Sequence, residues 1–116
     1  MTTQTYQEAT RHLLNQAHAE LAAGDNRQAA EKAWGAAAQM IKFVCAGRGW
    51  SHQTHAALRR ATRLLVEETG DEELLLLFKS AEVLHMSFYE DFYNSEEVKE
   101  GIEHVQRFID KLNALP

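Results

Sequence analysis

The chain has 116 residues, one cysteine (Cys45) and one proline, the terminal Pro116. That length suits one domain, spanning 1–116, and a lone cysteine excludes an internal disulfide and fits a reducing cytoplasm. The formal net charge of −5 repels nucleic acid and anionic membranes unless a basic patch is concentrated locally. No apolar run approaches the roughly 18 residues of a membrane span, and the opening MTTQTYQEATRHLL lacks the basic start and apolar stretch of a signal peptide.

Five amphipathic helices are expected. The first covers Thr3 to Ala23, where Tyr6, Ala9, Leu13, Ala17 and Leu21 recur at helical spacing. Gly24 should end it, and Asp25 or Asn26 should cap the second. The second runs from Arg27 to Ala46 on a stripe of Ala30, Ala33, Trp34, Ala37, Met40, Ile41 and Val44, and GRGWS ends it. The third starts at Ser51 or His52, buries Ala57, Leu58, Ala61, Leu64 and Leu65, and stops at Gly70. Asp71 should cap the fourth, whose stripe is Leu74, Leu77, Phe78, Ala81, Leu84, His85, Phe88 and Tyr89. Ser95 should cap the fifth, which carries Val98, Ile102, Val105, Ile109 and Leu112. Short loops predict that successive helices pack antiparallel. The fold class is therefore all-α, an antiparallel up-and-down bundle of about five helices.

The stretch CAGRGWSHQTH, Cys45 to His55, concentrates unusual residues. If the third helix begins there, His52, His55, Arg59 and Arg63 fall at i, i+3, i+7 and i+11, on one face, with Arg48 and Trp50 just before it. Four of the twelve lysine and arginine residues (Arg48, Arg59, Arg60 and Arg63) lie in this short region. Two readings stand: a patch for a phosphate or an RNA backbone, or a solvated basic face balanced by acidic residues such as Glu67, Glu68 and Glu90. His85 lies on the fourth helix's apolar stripe and needs a hydrogen-bond partner if buried; Tyr89 and Glu82, each one turn away, are local candidates. It is either a satisfied core histidine or a polar group lining a cleft. Tyr89, Tyr93, Phe92 and Trp50 could stack on a base, although aromatics at helical spacing more often belong to a core.

Metal chemistry finds little support. Glu82-x-x-His85 is one Glu-x-x-His pair where a di-iron bundle needs two, and His52 with His55 lacks a third zinc ligand. No metal or cofactor is expected. Cys45, between Val44 and Ala46, reads as a small core residue.

Together, Gly24-Asp25, the alanine-rich EKAWGAA from Glu31 to Ala37, Arg48-Gly49-Trp50, a histidine opening the third helix, and Leu84-His85 leading to Phe88-Tyr89-Glu90 make the chain similar to the HEPN superfamily (higher eukaryotes and prokaryotes nucleotide-binding). The resemblance covers roughly Leu21 to Ile109 and looks closest to the branch first described as a repeated protein family of hyperthermophilic archaea. It implies an antiparallel helical bundle that commonly dimerises, in a superfamily of RNases, toxin modules and partners of nucleotidyltransferases. Its catalytic members carry an arginine, four to six residues and then a histidine, around the fourth helix. Here that region reads LHMSFYEDFY, with His85 but no such pair; Arg48 and His55 satisfy the spacing only at the corner between the second and third helices.

Three functions follow. The first is a non-catalytic HEPN-like homodimer whose cleft, built from Arg48, His52, His55, His85, Tyr89 and Glu90, takes a nucleotide, an RNA phosphate or a protein partner such as a nucleotidyltransferase. The second is a metal-independent RNase in which Arg48 or His55 holds the phosphate and a histidine moves the proton. The third is a ligand-free interaction scaffold. GDNRQAAEKAWGAA resembles half of a tetratricopeptide helix pair, but no repeat of about 34 residues recurs.

Overall fold

The computed structural model describes residues 3–116, with side chains from Thr5 onward. Five helices follow in order: α1 (Thr3–Ala22), α2 (Asn26–Arg48), α3 (His55–Thr69), α4 (Glu73–Glu90) and α5 (Ser95–Asn113). Among the described residues no helix is long and apolar enough to cross a membrane. The all-α bundle expected from the periodicity is the fold observed.

Local chemistry sets the ends of the helices. Gly24, at φ 84°, turns the chain out of α1, and the Asp25 carboxylate caps α2 by accepting from the Gln28 amide at 3.0 Å. Gly49 and Gly70 end α2 and α3 in the left-handed region, which a residue without Cβ enters without strain. Three expected caps sit elsewhere. Thr54, not Ser51, caps α3 through the Ala57 amide. Asn94, not Ser95, caps α5 in a reciprocal box with Glu97. Asp71 accepts from the Glu73 amide at 3.1 Å, but α4 begins after it, with no side-chain cap at Glu72.

α2 is the central element and touches the other four. Its alanines let neighbours approach, and Ala29, Ala30, Ala33, Ala36 and Ala37 are fully buried. Phe78, Phe108, Leu65, Leu74 and Leu84 fill the remaining interior. At Gly101 of α5 an added Cβ would lie 2.6 Å from Leu84 Cδ2, so α4 and α5 meet where that side chain is absent. Two expected core positions face outward instead: Leu64 is 38% exposed and Tyr89 67%.

The direction of the helices can be read from their contacts. The start of α2 meets the end of α4, where Arg27 Nε donates to the Phe88 carbonyl at 2.7 Å, while Trp34 further along meets Phe78. α2 and α4 are therefore antiparallel. α3 pairs with α4 as a hairpin, so α3 runs in the same direction as α2. Both ends agree: His55 packs on Trp34 in the middle of α2, and Glu68 reaches Arg48 at its end. The segment Gly49–Thr54 is consequently not a corner but a strap that returns along the bundle. Strict alternation fails at this junction because these six residues, leaving α2 through the left-handed Gly49 and entering α3 from an extended Thr54, bring the chain back.

An ion cluster closes one end of the bundle. Lys111 of α5 lies 2.6 Å from Asp71 and 3.1 Å from Glu73, and Arg107 lies 2.7 Å from Glu73.

Candidate functional site

The strap separates residues that the sequence places side by side. His52 is not on α3. Its Nδ1 lies 2.9 Å from the Trp50 carbonyl and its Nε2 lies 3.1 Å from the Tyr6 hydroxyl. A carbonyl only accepts, so Nδ1 carries the proton and Nε2 accepts from the tyrosine. His52 thus pins the strap to α1. Arg48 is committed to Glu68, and its guanidinium sits 5.3 Å from the Trp50 ring centroid. Arg63 is exposed on α3. The four-residue face His52, His55, Arg59, Arg63 therefore does not exist, and the two arginines nearest its ends do not make a patch with its histidines.

His55 and His85 do come together, about Trp34. The Trp34 ring lies 4.9 Å from His55 and 5.1 Å from His85, the latter stacked at 25°. The two imidazole centroids are 6.2 Å apart. Trp34 is 9% exposed and also packs on Phe78, so a core residue forms the floor on which both imidazoles rest. Tyr89 stands edge-on to His85 at 5.3 Å and is otherwise solvent-facing.

Each imidazole is held by a carboxylate. His85 Nδ1 lies 2.8 Å from Glu31 of α2, and His55 Nε2 lies 2.7 Å from Glu82 of α4. Arg59 also grips Glu82, at 2.5 Å. Because a carboxylate accepts, the bonded nitrogen of each ring is the protonated one. The other nitrogen, Nε2 of His85 and Nδ1 of His55, holds the lone pair when the ring is neutral and becomes a cationic donor when it is not. The partner of His85 is thus neither Tyr89 nor Glu82 but Glu31. Glu90 is exposed at the end of α4.

Glu31 and Trp34 are members of the site that the sequence does not mark as such. The signal was their i, i+3 spacing on α2, which puts them on one face, but choosing that face required knowing that α2 and α4 are antiparallel. Among the described residues no three histidine, cysteine, aspartate or glutamate side chains form a metal-binding group.

The histidine group lies at the surface, with His55 exposed and His85 half-buried. Two hollows lie elsewhere: one of about 460 Å³ between α1, α2 and α5, lined by Thr10, Arg11, Met40 and Ile109 among others, and one of about 530 Å³ near the C-terminus, lined by Phe43, Gly47, Arg48 and Leu115 among others. Neither holds a pair of titratable groups with an aromatic floor. The histidine cleft resembles a surface that touches part of a large ligand more than a cavity that swallows a small one.

A five-helix bundle with paired imidazole–carboxylate groups on an aromatic floor is the class defined by this geometry. The family model for the archaeal PaREP1/PaREP8 proteins matches residues 5–109, and the chain belongs to that family. It is similar to a Sulfolobus solfataricus protein of known crystal structure, at 27% identity and a TM-score of 0.81, covering 90% of this chain and 93% of that one. No curated protein matches it.

Proposed function

We propose that the chain is a non-catalytic, homodimeric module of the HEPN type, working in the cytoplasm, whose His55–Trp34–His85 cleft binds a phosphate-bearing ligand of the nucleotide or RNA kind. One observation carries the reading: of the family-like markers spread along the sequence, Glu31 and Trp34 of EKAWGAA, the histidine opening α3 and His85 meet in one cleft. An exposed Tyr89 beside His85 offers a face for a base, and the imidazoles offer N–H donors to a phosphate. A nucleotidyltransferase-type protein would be a second occupant of the same surface.

The charges set the conditions. Glu31 and Glu82 against Arg59 leave the cleft one net negative charge while both imidazoles are neutral. Protonating both reverses it to one positive charge. Arg27, bonded to the Phe88 carbonyl, is a further cation from α2 beside the end of α4.

The RNase reading based on Arg48 and His55 loses its geometry, because the strap holds them apart. On His55 and His85 the reading keeps one observation: two imidazoles close enough to serve one phosphodiester as acid and base. The test is one experiment with two readouts. A fluorescein-labelled single-stranded RNA is titrated with wild type, His55→Ala, His85→Ala and Arg48→Ala at about pH 6 in EDTA, and its length is followed on a gel. Binding lost in both histidine variants, kept in Arg48→Ala, with the RNA intact, is the expected result. Cleavage that both histidine variants lose would make the module an enzyme, and binding indifferent to both would remove the cleft from function.

A further inference from the structure

α4 is apolar on both sides. Leu74, Leu77, Phe78, Ala81 and Leu84 face the core, yet Leu76 is 64% exposed and Met86 52%. The outward residues Leu76, Lys79, Val83, Met86 and Glu90 are spaced by three and four in alternation, which is the seam of a coiled coil. Just past the helix, Asp91 turns the chain in the left-handed region at φ 52° and leaves Phe92 46% exposed. Beside the other end of the seam lies a hollow of about 270 Å³ lined by Val66, Glu72, Leu75 and Leu76. Lys79 and Glu90 are both exposed and, among the described residues, form no ion pair.

We infer that this seam docks a second copy of the chain, antiparallel to the first about a two-fold axis between Leu84 and His85. The proposal rests on the homodimer part of the reading above and supplies its surface and register. In that register Val83 meets Met86 of the other copy, Lys79 meets Glu90, and Leu76 meets the level of Phe92, whose ring has the hollow beside Leu76 and Val66 to enter. Every layer pairs apolar with apolar or positive with negative, and the two-fold repeats each pair. The alternatives pair badly. A parallel arrangement sets Lys79 on Lys79 and Glu90 on Glu90. Sliding the antiparallel pair by one layer in one direction sets Lys79 on Val83 and Glu90 on Glu72. A charge within a seam selects register in this way at some cost in strength, and an aromatic seated in a pocket supplies the anchor.

The seam lies on the side of α4 away from His85, which faces Trp34 and Glu31 of α2, so docking would leave the histidines uncovered.

The test is sedimentation velocity over a concentration series on wild type, Lys79→Glu, Glu90→Lys, the double variant and Phe92→Ala, with circular dichroism to verify folding. All the substituted positions are exposed. Wild type should dimerise, each single reversal should weaken the dimer by about tenfold or more because it creates two like-charge contacts, and the double variant should return to within about threefold of wild type. Phe92→Ala should weaken it as well. A dimer indifferent to the single reversals overturns the seam while leaving homodimerisation standing. Weakening without recovery in the double variant overturns the register. A monomer at every concentration overturns both, and failure of the RNA titration alone leaves the seam untouched.

Discussion

Two charged clusters on this bundle use similar groups to opposite ends. At one end, Asp71 and Glu73 meet Lys111 and Arg107, two acids against two cations that keep their charge across the neutral range. At the cleft, Glu31 and Glu82 meet His85, His55 and a single arginine. The first cluster joins the start of α4 to the end of α5 and has nothing to exchange near neutral pH. The second rests on Trp34 and sets two imidazoles, rather than two fixed cations, against its acids. Permanent charges fasten the ends of helices together; at the cleft the carboxylates orient two rings on an aromatic floor.

The largest test of that contrast removes the floor. Trp34→Ala should cost about 3–5 kcal/mol in urea unfolding and abolish binding at the cleft, because the same ring supports the core and both imidazoles. The next largest effect is on binding alone. Glu31→Gln should leave the fold intact and weaken RNA binding severalfold, since an amide no longer fixes the orientation of the His85 ring as the carboxylate does. The measurement is the binding midpoint of the labelled RNA beside a thermal melt.

The fastening cluster should answer to a different pH range. Hydrogen bonding from Lys111, then the backbone of Glu73 and the nearby cations, holds Asp71 below the usual carboxylate range despite some desolvation. Arg107 and then Lys111 do the same for Glu73. Lys111 is in turn raised, by Asp71 first and Glu73 second. A depressed carboxylate adds stability above its ordinary value, about 4, that is lost as the pH falls through its folded value. A raised lysine adds stability below its ordinary value that is lost as the pH rises through its folded one. Lys111→Met should therefore lower the thermal midpoint modestly at neutral pH, and the difference from wild type should vanish in acid, in strong alkali and at high salt. Smallest of all, Arg63→Ala, an exposed change on α3, should move neither RNA binding nor the midpoint measurably.

Periodicity carried most of the fold into view. Val98, Ile102, Val105, Ile109 and Leu112 are all buried as their spacing requires, because α5 has one apolar stripe and one neighbourhood. α4 was harder. A helix apolar on two faces offers no single stripe, so periodicity points Tyr89 inward although it faces solvent. The site was half legible. His55 and His85 stood out as polar residues in unusual places, while Glu31 and Trp34 looked like ordinary members of an alanine-rich helix. Their role depends on which way α3 runs, and that is decided by six residues whose irregular path leaves no periodic trace. His52 joins a face with His55, Arg59 and Arg63 only if the strap is the first turn of a helix, and α3 begins three residues later.

That strap also governs how the chain tolerates changes in length. Most loops can gain or lose a residue at little cost. Gly49–Thr54 is different: it must reach from the end of α2 back to the level at which His55 touches Trp34, and His52 fixes it to Tyr6 midway. It is also held at both ends, by the Trp50 amide on the Cys45 carbonyl and by the Ala57 amide on the Thr54 hydroxyl. An added residue can bulge into solvent, whereas a missing one must pull His55 off the tryptophan or draw α3 along its own axis. Either response misaligns the cleft while leaving the helices formed, so relatives with a shorter strap would keep the bundle and lose the site.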